Sequence, residues 1–453
     1  MHKTSRRDFL LSAAAAAAAF STASCGAPSQ TRRNSNDRLR IAQIGCGGKG
    51  LSDMQACAEN HDIVALCDVD DGKAANARKD HPKAAFYYDY RDLFDKEKVD
   101  AVVISTPDHS HAVPALIAMQ LGLHVFVQKP LAHTVEEARL MLHAARRSGV
   151  ITSMGNQGTS MDGFRSAAEF VRGGAIGDVS EVHVWTNRPV WPQGIQRPKH
   201  SDAIPTSLRW DLWLGAAPYR PYAAGRRDSG FSGYAPFHWR GFWDFGTGAL
   251  GDMACHVANL PFFALELGAP DWVEADTEGM TEETAPKAST IRFGFGARNG
   301  RGPCVVHWYD GGRTPPVDKL PSAEDRKGLR ALTEGGFLLI GDKGKLFSPT
   351  DYGESYALYP KAQFADVKAP AQTLPRSPGI HQEWLQGILA NKQPLANFEY
   401  SAPFTETMLL GNVAMRLGRR IEWDAANLRV KNDGNADQYL KKEYRRGFEL
   451  PRA

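Results

Sequence analysis

Cysteine is scarce in this chain of 453 residues, with six in all, at positions 25, 46, 57, 67, 255 and 304. None forms a CxxC pair, which excludes a zinc knuckle and a redox dithiol. The odd number beyond Cys25 fits buried free thiols in a chain that folds in a reducing compartment, without a disulfide framework. A basic run is also missing. The 54 Lys and Arg are nearly balanced by 51 Asp and Glu, for a formal net charge of +3, and Lys3, Arg6 and Arg7 supply most of the excess. Phosphate backbones need clustered cations, so nucleic acid is not the expected partner. Nor is the Ala-rich stretch from Phe9 to Phe20 long enough to span a bilayer. What is there is a folding composition, 42% apolar, 10% aromatic and 23% charged, with the length for two domains plus appendages.

The N-terminus reads as an address. Ser5-Arg6-Arg7-Asp8-Phe9-Leu10 sets paired arginines ahead of the short apolar stretch, the pattern of a twin-arginine signal, a route that carries proteins across a membrane already folded. Thr22-Ala23-Ser24 then meets Cys25-Gly26, which looks like a lipoprotein cleavage site with a lipid anchor on Cys25; plain cleavage nearby is the alternative. Residues 1–37 are therefore expected to be signal and tether. The export machinery is an expected partner, and the mature protein is expected in the periplasm, membrane-anchored if Cys25 is lipidated.

Residues 38–157 read as a dinucleotide-binding domain. An apolar run from Leu39 to Ile44 meets Gly45-Cys46-Gly47-Gly48-Lys49-Gly50 before an amphipathic stretch from Leu51 to Ala58. This is strand, glycine turn, helix, and Gly45, Gly47 and Gly50 fit GxGxxG, with Gly48 inside the turn: a tight bend, close approach to a pyrophosphate, and close helix packing. A second strand, Ile63 to Cys67, ends in Asp68, placed to hold the adenosine ribose hydroxyls. A carboxylate there repels a ribose 2′-phosphate, so NAD is favoured, while Lys73 and Arg78 leave NADP open. Further strands run from Ala101 to Ser105, His124 to Val127 and Ile151 to Met154, alternating with helices such as Ala112 to Leu121 and Val135 to Ser148. That alternation predicts a doubly wound parallel sheet of Rossmann type. Ligands sit beyond the carboxyl ends of such strands, which puts Thr106-Pro107-Asp108-His109-Ser110-His111 and Gln128-Lys129-Pro130 around the nicotinamide. Asn156 and Gln157 are further candidates for cofactor or substrate contact. No metal site is read at His109 and His111, because no Cys, His or Glu cluster accompanies them.

From the glycine turn, the Thr-Pro-Asp-His-x-His loop, the Lys-Pro pair and a later Asp252-x-x-x-His256, the chain resembles the Gfo/Idh/MocA oxidoreductases, the family of glucose-fructose oxidoreductase and inositol dehydrogenase, over about 410 residues. Family members usually read Glu-Lys-Pro where this chain has Gln128-Lys129-Pro130. The resemblance implies a Lys129, Asp252, His256 catalytic set and a homo-oligomer.

Residues 158–453 are expected to form an α+β domain with an open, mainly antiparallel sheet, from β patterns at Val179 to Thr186, Ser289 to Phe295, Cys304 to Tyr309 and Gly336 to Ile340. One face of that sheet is free to carry a subunit contact. Between Asn187 and Phe245 lies a segment with seven prolines and no sustained periodicity, too long for an ordinary connection. Six of the ten tryptophans fall in or beside it: Trp185, Trp191, Trp210, Trp213, Trp239 and Trp243. Indoles stack on pyranose faces while Arg188, Gln193, Arg240 and Asp244 offer hydroxyl partners, a composition suited to a carbohydrate cleft; Arg188, Trp191, Trp239 and Arg240 are the substrate candidates. The alternative is that the aromatics only glue the loop down.

Spacing by four puts Asp252 and His256 on one helix face. Hydride transfer from a secondary alcohol needs a base, and histidine has a suitable unperturbed pKa, so His256 is the expected base, Asp252 a hydroxyl acceptor and Lys129 the group that polarises the reacting oxygen. Otherwise Asp252 is a helix N-cap and His256 a core residue. His381 either faces the cleft or sits at the surface. An exported enzyme has no NAD pool, so its cofactor must stay bound. The expected function is then an NAD(P)-dependent oxidoreductase acting on a sugar or glycoside secondary alcohol, with C3 a candidate carbon. The alternatives are an NAD-dependent glycosidase working by transient C3 oxidation and elimination, and a non-catalytic exported sugar-binding protein.

Overall fold

The computed structural model describes residues 37–226, 231–325 and 334–451; the signal stretch and Cys25 lie outside the described residues. Six strands, β1 (Arg40–Ile44), β2 (Asp62–Cys67), β3 (Ala85–Tyr87), β4 (Ala101–Ile104), β5 (His124–Val127) and β6 (Thr152–Met154), form one sheet in the order β3-β2-β1-β4-β5-β6. All five pairings are parallel, the doubly wound arrangement, whose strands are covered on both faces and so read as continuous apolar runs such as Ala-Val-Val-Ile in β4. Local rules set the covering helices. Val135–Ser148 opens on a capping box between Thr134 and Glu137, carries basic residues in its last turn and stops at left-handed Gly149.

The rest of the chain builds a nine-stranded sheet from β7 (Val179–Thr186), β10 (Trp272–Glu278), β11 (Ala288–Phe295), β12 (Cys304–Tyr309), β13 (Gly335–Gly341), β14 (Lys345–Ser348), β15 (Ala357–Tyr359), β16 (Ile421–Asp424) and β17 (Arg429–Val430), with β8 (Ala224–Arg226) and β9 (Phe231–Gly233) a separate hairpin. The order is β15-β14-β13-β7-β12-β11-β10-β16-β17. Its pairings are antiparallel except β7 with β12, which run parallel. The helices Gly248–Val257 and Phe398–Leu417 pack on one face.

The chain beyond residue 157 is not a separate body. Helix Ile380–Ala390 returns to cover the first sheet: Ile380, Trp384 and Leu385 share a core with Leu39, Ile41 and Val103. Trp384 Nε1 donates to the Ile151 carbonyl at 3.3 Å, and the Met154 amide donates to Ala396 O at 2.8 Å. This layer on the first sheet comes from a helix more than two hundred residues further along the chain.

The long segment after Asn187 is anchored from within. Leu208, Trp210, Trp213, Tyr234, Trp239, Phe242 and Phe245 form a small core of their own, with Trp210 and Trp213 stacked at 4.7 Å. Trp185, Trp191, Trp210, Trp213 and Trp239 are all buried. The expectation of indoles lining a sugar cleft is thus corrected for most of them: an irregular segment without a ladder of its own is held by burying its large aromatics.

Candidate active site

A cavity of about 530 Å³ opens at the carboxyl ends of β1, β2, β4 and β5, lined from one side by the glycine turn and from the other by the long segment. The turn is built for close approach. Gly45 has φ 81° and Gly48 φ 54°, a region that L side chains avoid. A Cβ at Gly45 would stand 2.6 Å from Ser105 O, and one at Gly50 only 2.0 Å from Gly45 O. Asp68 follows β2 directly and lines the cavity. Its Oδ2 accepts from the Cys46 amide at 2.7 Å and its Oδ1 from Asp70 N at 2.9 Å. Burial raises its pKa above the usual carboxylate range. Asp68, Asp70, Asp89 and Lys73 line this end of the cavity. Thr106 also lines the cavity, and its buried Oγ1 has no protein partner. The glycine cradle and this orphaned hydroxyl fit a dinucleotide. Gly45, Gly47, Gly48, Asp68, Thr106 and Lys129 are the residues that would hold it.

Lys129 follows β5 and reaches the second domain. Its Nζ donates to both Oδ1 and the backbone carbonyl of Asp252, each at 2.9 Å, and Arg240 Nε donates to the same Oδ1 at 3.1 Å. Burial works against both charges. Asp252 outweighs it and raises the Lys129 pKa; Lys129 and then Arg240 outweigh it and hold Asp252 down at about 2. Asp252 sits inside helix Gly248–Val257, so it is not an N-cap. His256 lies one turn on, outside the cavity lining, with Nδ1 buried and unpartnered and its ring edge-on to Tyr352 at 4.7 Å. Burial first, then Lys129, pushes it down to about 3.

The loop after β4 divides its labour. Thr106 and Pro107 line the cavity. Asp108 does too, its Oδ2 accepting from Thr247 N at 3.1 Å and Oγ1 at 2.8 Å; burial, then the charge of Asp252, pushes it up to about 7. His109 borders the cavity, but both ring nitrogens are engaged, Nε2 with Trp213 O at 3.0 Å and Nδ1 with Phe245 O at 3.2 Å. Phe245 O also accepts the His109 amide at 3.2 Å. His111 does not line the cavity: its nitrogens face Pro130 O at 2.9 Å and Thr106 O at 2.8 Å. Among the described residues no group of three or more His, Cys, Asp or Glu side chains is placed to hold a metal.

Gln128, in place of the family's glutamate, donates to a carboxylate supplied from elsewhere. Asp53, fully buried on the glycine-turn helix, accepts from Gln128 Nε2 at 2.8 Å, Ser105 Oγ at 2.9 Å and Lys49 Nζ at 2.5 Å, and pairs with His381 Nε2 at 2.9 Å. Its pKa is lowered: burial opposes ionisation, while His381 and Lys49 prevail. His381 thus faces inward, stacked on Phe126. Gln157, with its amide oxygen toward Lys49, accepts at 3.3 Å and donates to Gly155 O at 3.0 Å. Asn156 is wholly buried beside it, outside the cavity lining, with both amide atoms unpartnered.

Of the four substrate candidates, Trp239 and Arg240 line the cavity and Arg188 and Trp191 do not. Trp191 Nε1 donates to Gln193 Oε1 at 2.9 Å, and Arg188 donates to Asn187 Oδ1. Gln193 and Asp244 are structural as well, the first bracing the Ala249 amide at 3.0 Å and the second pairing with Arg220. Sequence reasoning missed Phe237, 42% exposed on the cavity wall, under which the Arg240 guanidinium stacks at 4.4 Å. It also missed Asp53, Leu208 and Phe448. A carboxylate one helical turn into the glycine-turn helix was the available signal for Asp53; the others carry none.

Two family models match the chain: one described as oxidoreductase family, NAD-binding Rossmann fold, over residues 39–156, and one as oxidoreductase family, C-terminal alpha/beta domain, over residues 178–295. Among curated proteins the chain is similar to a glycosyl hydrolase family 109 protein of Shewanella baltica, 34% identical over 175 residues that cover 33% of this chain and 38% of the relative. It is also similar to an alpha-N-acetylgalactosaminidase of Shewanella oneidensis, 33% identical over 175 residues with the same two shares. The match spans well under half the length of these relatives. Among solved structures, the WlbA dehydrogenase of Bordetella pertussis, in complex with NADH and UDP-GlcNAcA, has a TM-score of 0.56 at 17% identity, covering 86% of this chain and 99% of that one. The aldose-aldose oxidoreductase of Caulobacter crescentus, complexed with glycerol, has a TM-score of 0.53 at 17% identity, covering 85% and 100%. At such identities these two likenesses speak for the fold alone.

Proposed function

The chain belongs to the Gfo/Idh/MocA oxidoreductase family, with an NAD-binding Rossmann domain, and on that premise we propose that it oxidises a secondary hydroxyl of a sugar or glycoside while keeping its nucleotide bound. The observation that carries the reading is the Lys129–Asp252 pair, bonded at 2.9 Å across the two domains, in a cavity it shares with the glycine turn. Bound NAD supplies a ring carbon that takes up a hydride from the carbon bearing the hydroxyl. The chain's own residues bind and orient. Lys129, held cationic, donates to the reacting oxygen. Asp252 gives Oδ1 to its two cations, and Oδ2, with no protein donor among the described residues, accepts from a neighbouring hydroxyl. Phe237 and Trp239 form the apolar wall beside Arg240.

Two groups compete to take the hydroxyl proton. His256 has a free Nδ1, but burial holds it at about 3 and away from the cavity lining. Asp108 lines the cavity and is pushed up to about 7, where an acceptor for neutral solution belongs. Position and proton affinity together favour Asp108.

A second reading, favoured by the names of the curated relatives, is that the same oxidation is transient and acidifies the adjacent carbon, so that a glycoside loses its aglycone and the hydride is returned. Incubating the protein with p-nitrophenyl glycosides and free sugars, while following absorbance at 340 and 405 nm, separates the two. A rise at 340 nm without nitrophenol supports the oxidoreductase; catalytic release of nitrophenol without net reduction supports the glycosidase. No change at either wavelength with nucleotide bound sinks both and leaves a sugar-binding protein. Export with the nucleotide already folded in, and assembly of copies through the outer face of the nine-stranded sheet, belong to the same proposal; fractionation and mass measurement in solution test them.

A further inference from the structure

Two segments remote in sequence meet over the nucleotide cavity. The first is residues 207–216. Leu208 makes an antiparallel bridge with Asp70, flanked by Asp71 N donating to Ser207 O at 3.0 Å and Arg209 N donating to Val69 O at 2.8 Å. It therefore pairs with the backbone that continues β2 past Asp68, at the adenosine end. The Arg209 guanidinium lies over the Tyr88 ring at 4.3 Å. The aromatic core described above holds the far side of this strap, and the His109 ring pegs it through Trp213 O.

The second segment is the C-terminal tail, residues 442–450. Lys442 Nζ pairs with Glu137 at 2.8 Å and Tyr444 OH donates to the same carboxylate at 2.8 Å, which ties the tail to helix Val135–Ser148. Arg445 then crosses to the strap: it pairs with Asp211, its Nε donates to Gly215 O at 3.0 Å, and its amide donates to Ala216 O at 3.2 Å. Phe448 follows, between Arg91 at 4.5 Å and Arg445 at 4.8 Å, and Arg91 donates to Gly447 O at 2.5 Å. Leu208, Leu212, Gly215, Ala216 and Phe448 all line the cavity that Gly47, Asp68 and Lys73 line from the other side.

We propose that strap and tail form a clasp that retains the dinucleotide, with Leu208 and Phe448 as binding residues at its adenosine half and Arg445 as the positioning residue that keeps the clasp shut. This deepens the reading of a bound, non-exchanging cofactor. Rossmann-side groups bind the nucleotide from below; the clasp is an independent set of contacts, formed by residues that the dinucleotide motif does not contain. Release requires the strap to part from residues 69–71 or the tail to part from the strap, so the clasp acts on the rate of departure more than on the rate of arrival.

The test uses the full chain loaded with NAD. Nucleotide release is followed by filtration after dilution and quantified in the filtrate, for the wild type, Arg445→Asp, Phe448→Ala and the charge-reversed double variant Asp211→Arg/Arg445→Asp. The clasp predicts release at least about tenfold faster in Arg445→Asp and in Phe448→Ala, with substantial recovery in the double variant. Thermal unfolding of each protein without nucleotide shows that the fold is kept, and the double variant guards against a mere loss of folding. Equal release rates in all four proteins overturn the clasp, as does a wild type that loses its nucleotide within the mixing time. The readout does not depend on any sugar: a wild type that retains NAD through the clasp yet oxidises nothing refutes the proposed function and leaves this inference standing.

Discussion

Lys129 keeps its charge in a buried position because Asp252 stands 2.9 Å away with the opposite one, and removing either partner strands the other. Breaking such a pair costs more than the pair contributes, so the chemical step and the local fold both depend on it. Asp252→Asn keeps the shape and removes the charge; its rate of sugar oxidation should fall by roughly 10²- to 10⁴-fold while bound nucleotide remains at wild-type occupancy. Equal losses of rate and occupancy would make the pair a cofactor anchor only. At Asp108 the expectation concerns pH. With its carboxyl pushed up to about 7, the rate should rise with pH through about 7, and Asp108→Asn should lose that limb; if the limb persists there and vanishes in His256→Asn, the proton goes to the histidine. His109 gives a stability prediction of defined sign. Burial first, then Lys442, depresses it to about 3, so it contributes stability that is present above its unfolded pKa of about 6.5 and lost as pH falls toward 3. Between pH 6.5 and 4, the unfolding free energy of the wild type should fall more steeply than that of His109→Gln, by up to about 1.4 kcal/mol per pH unit. Parallel curves from denaturant titrations would show that the ring is not held neutral.

The elements that carry the site differ in how far their logic is local. The strap after Ser207 stays in place through aromatic packing, with Trp213 buried in it. Trp213→Ala should destabilise the protein by about 3–5 kcal/mol and also speed nucleotide loss, because the same side chain lines the cavity and packs on His109; a protein that unfolds earlier yet holds NAD as firmly would separate strap from site. The glycine turn was legible because its chemistry fits in six consecutive residues, and strands such as His124–Val127 and Cys304–Tyr309 announce themselves by their own apolar runs. Strand β10 does not. Trp-Val-Glu-Ala-Asp-Thr-Glu carries three acids, and its place between β11 and β16 makes it a strand. The tryptophans were legible as a cluster, but whether they faced a ligand or one another is a matter of packing between positions dozens of residues apart. Asp53 meets His381, and Phe448 comes to line the same cavity as Leu208, through tertiary structure alone, so spacing gives no sign of either.

At the scale of the whole molecule, the far end of the chain completes the nucleotide domain twice. Helix Ile380–Ala390 supplies part of its core, and the tail beyond Lys442 bonds to Gly215 and brings Phe448 to the cavity wall. The cavity beside the glycine turn is thus completed by residues more than three hundred positions away in sequence. That arrangement suits the proposed retention of the nucleotide. It also sets the first requirement of the account, that the nucleotide stays with the protein and is chemically competent there. The most direct measurement is an absorption spectrum at 340 nm of protein purified without added nucleotide, before and after mixing with a panel of sugars and glycosides. The account predicts bound NAD at near-equimolar occupancy and a rise in reduced-nicotinamide absorbance, stoichiometric with protein, on mixing with an oxidisable sugar, or a transient rise where a glycoside is cleaved. A protein that carries no nucleotide, takes none up and shows no change with any sugar would contradict it.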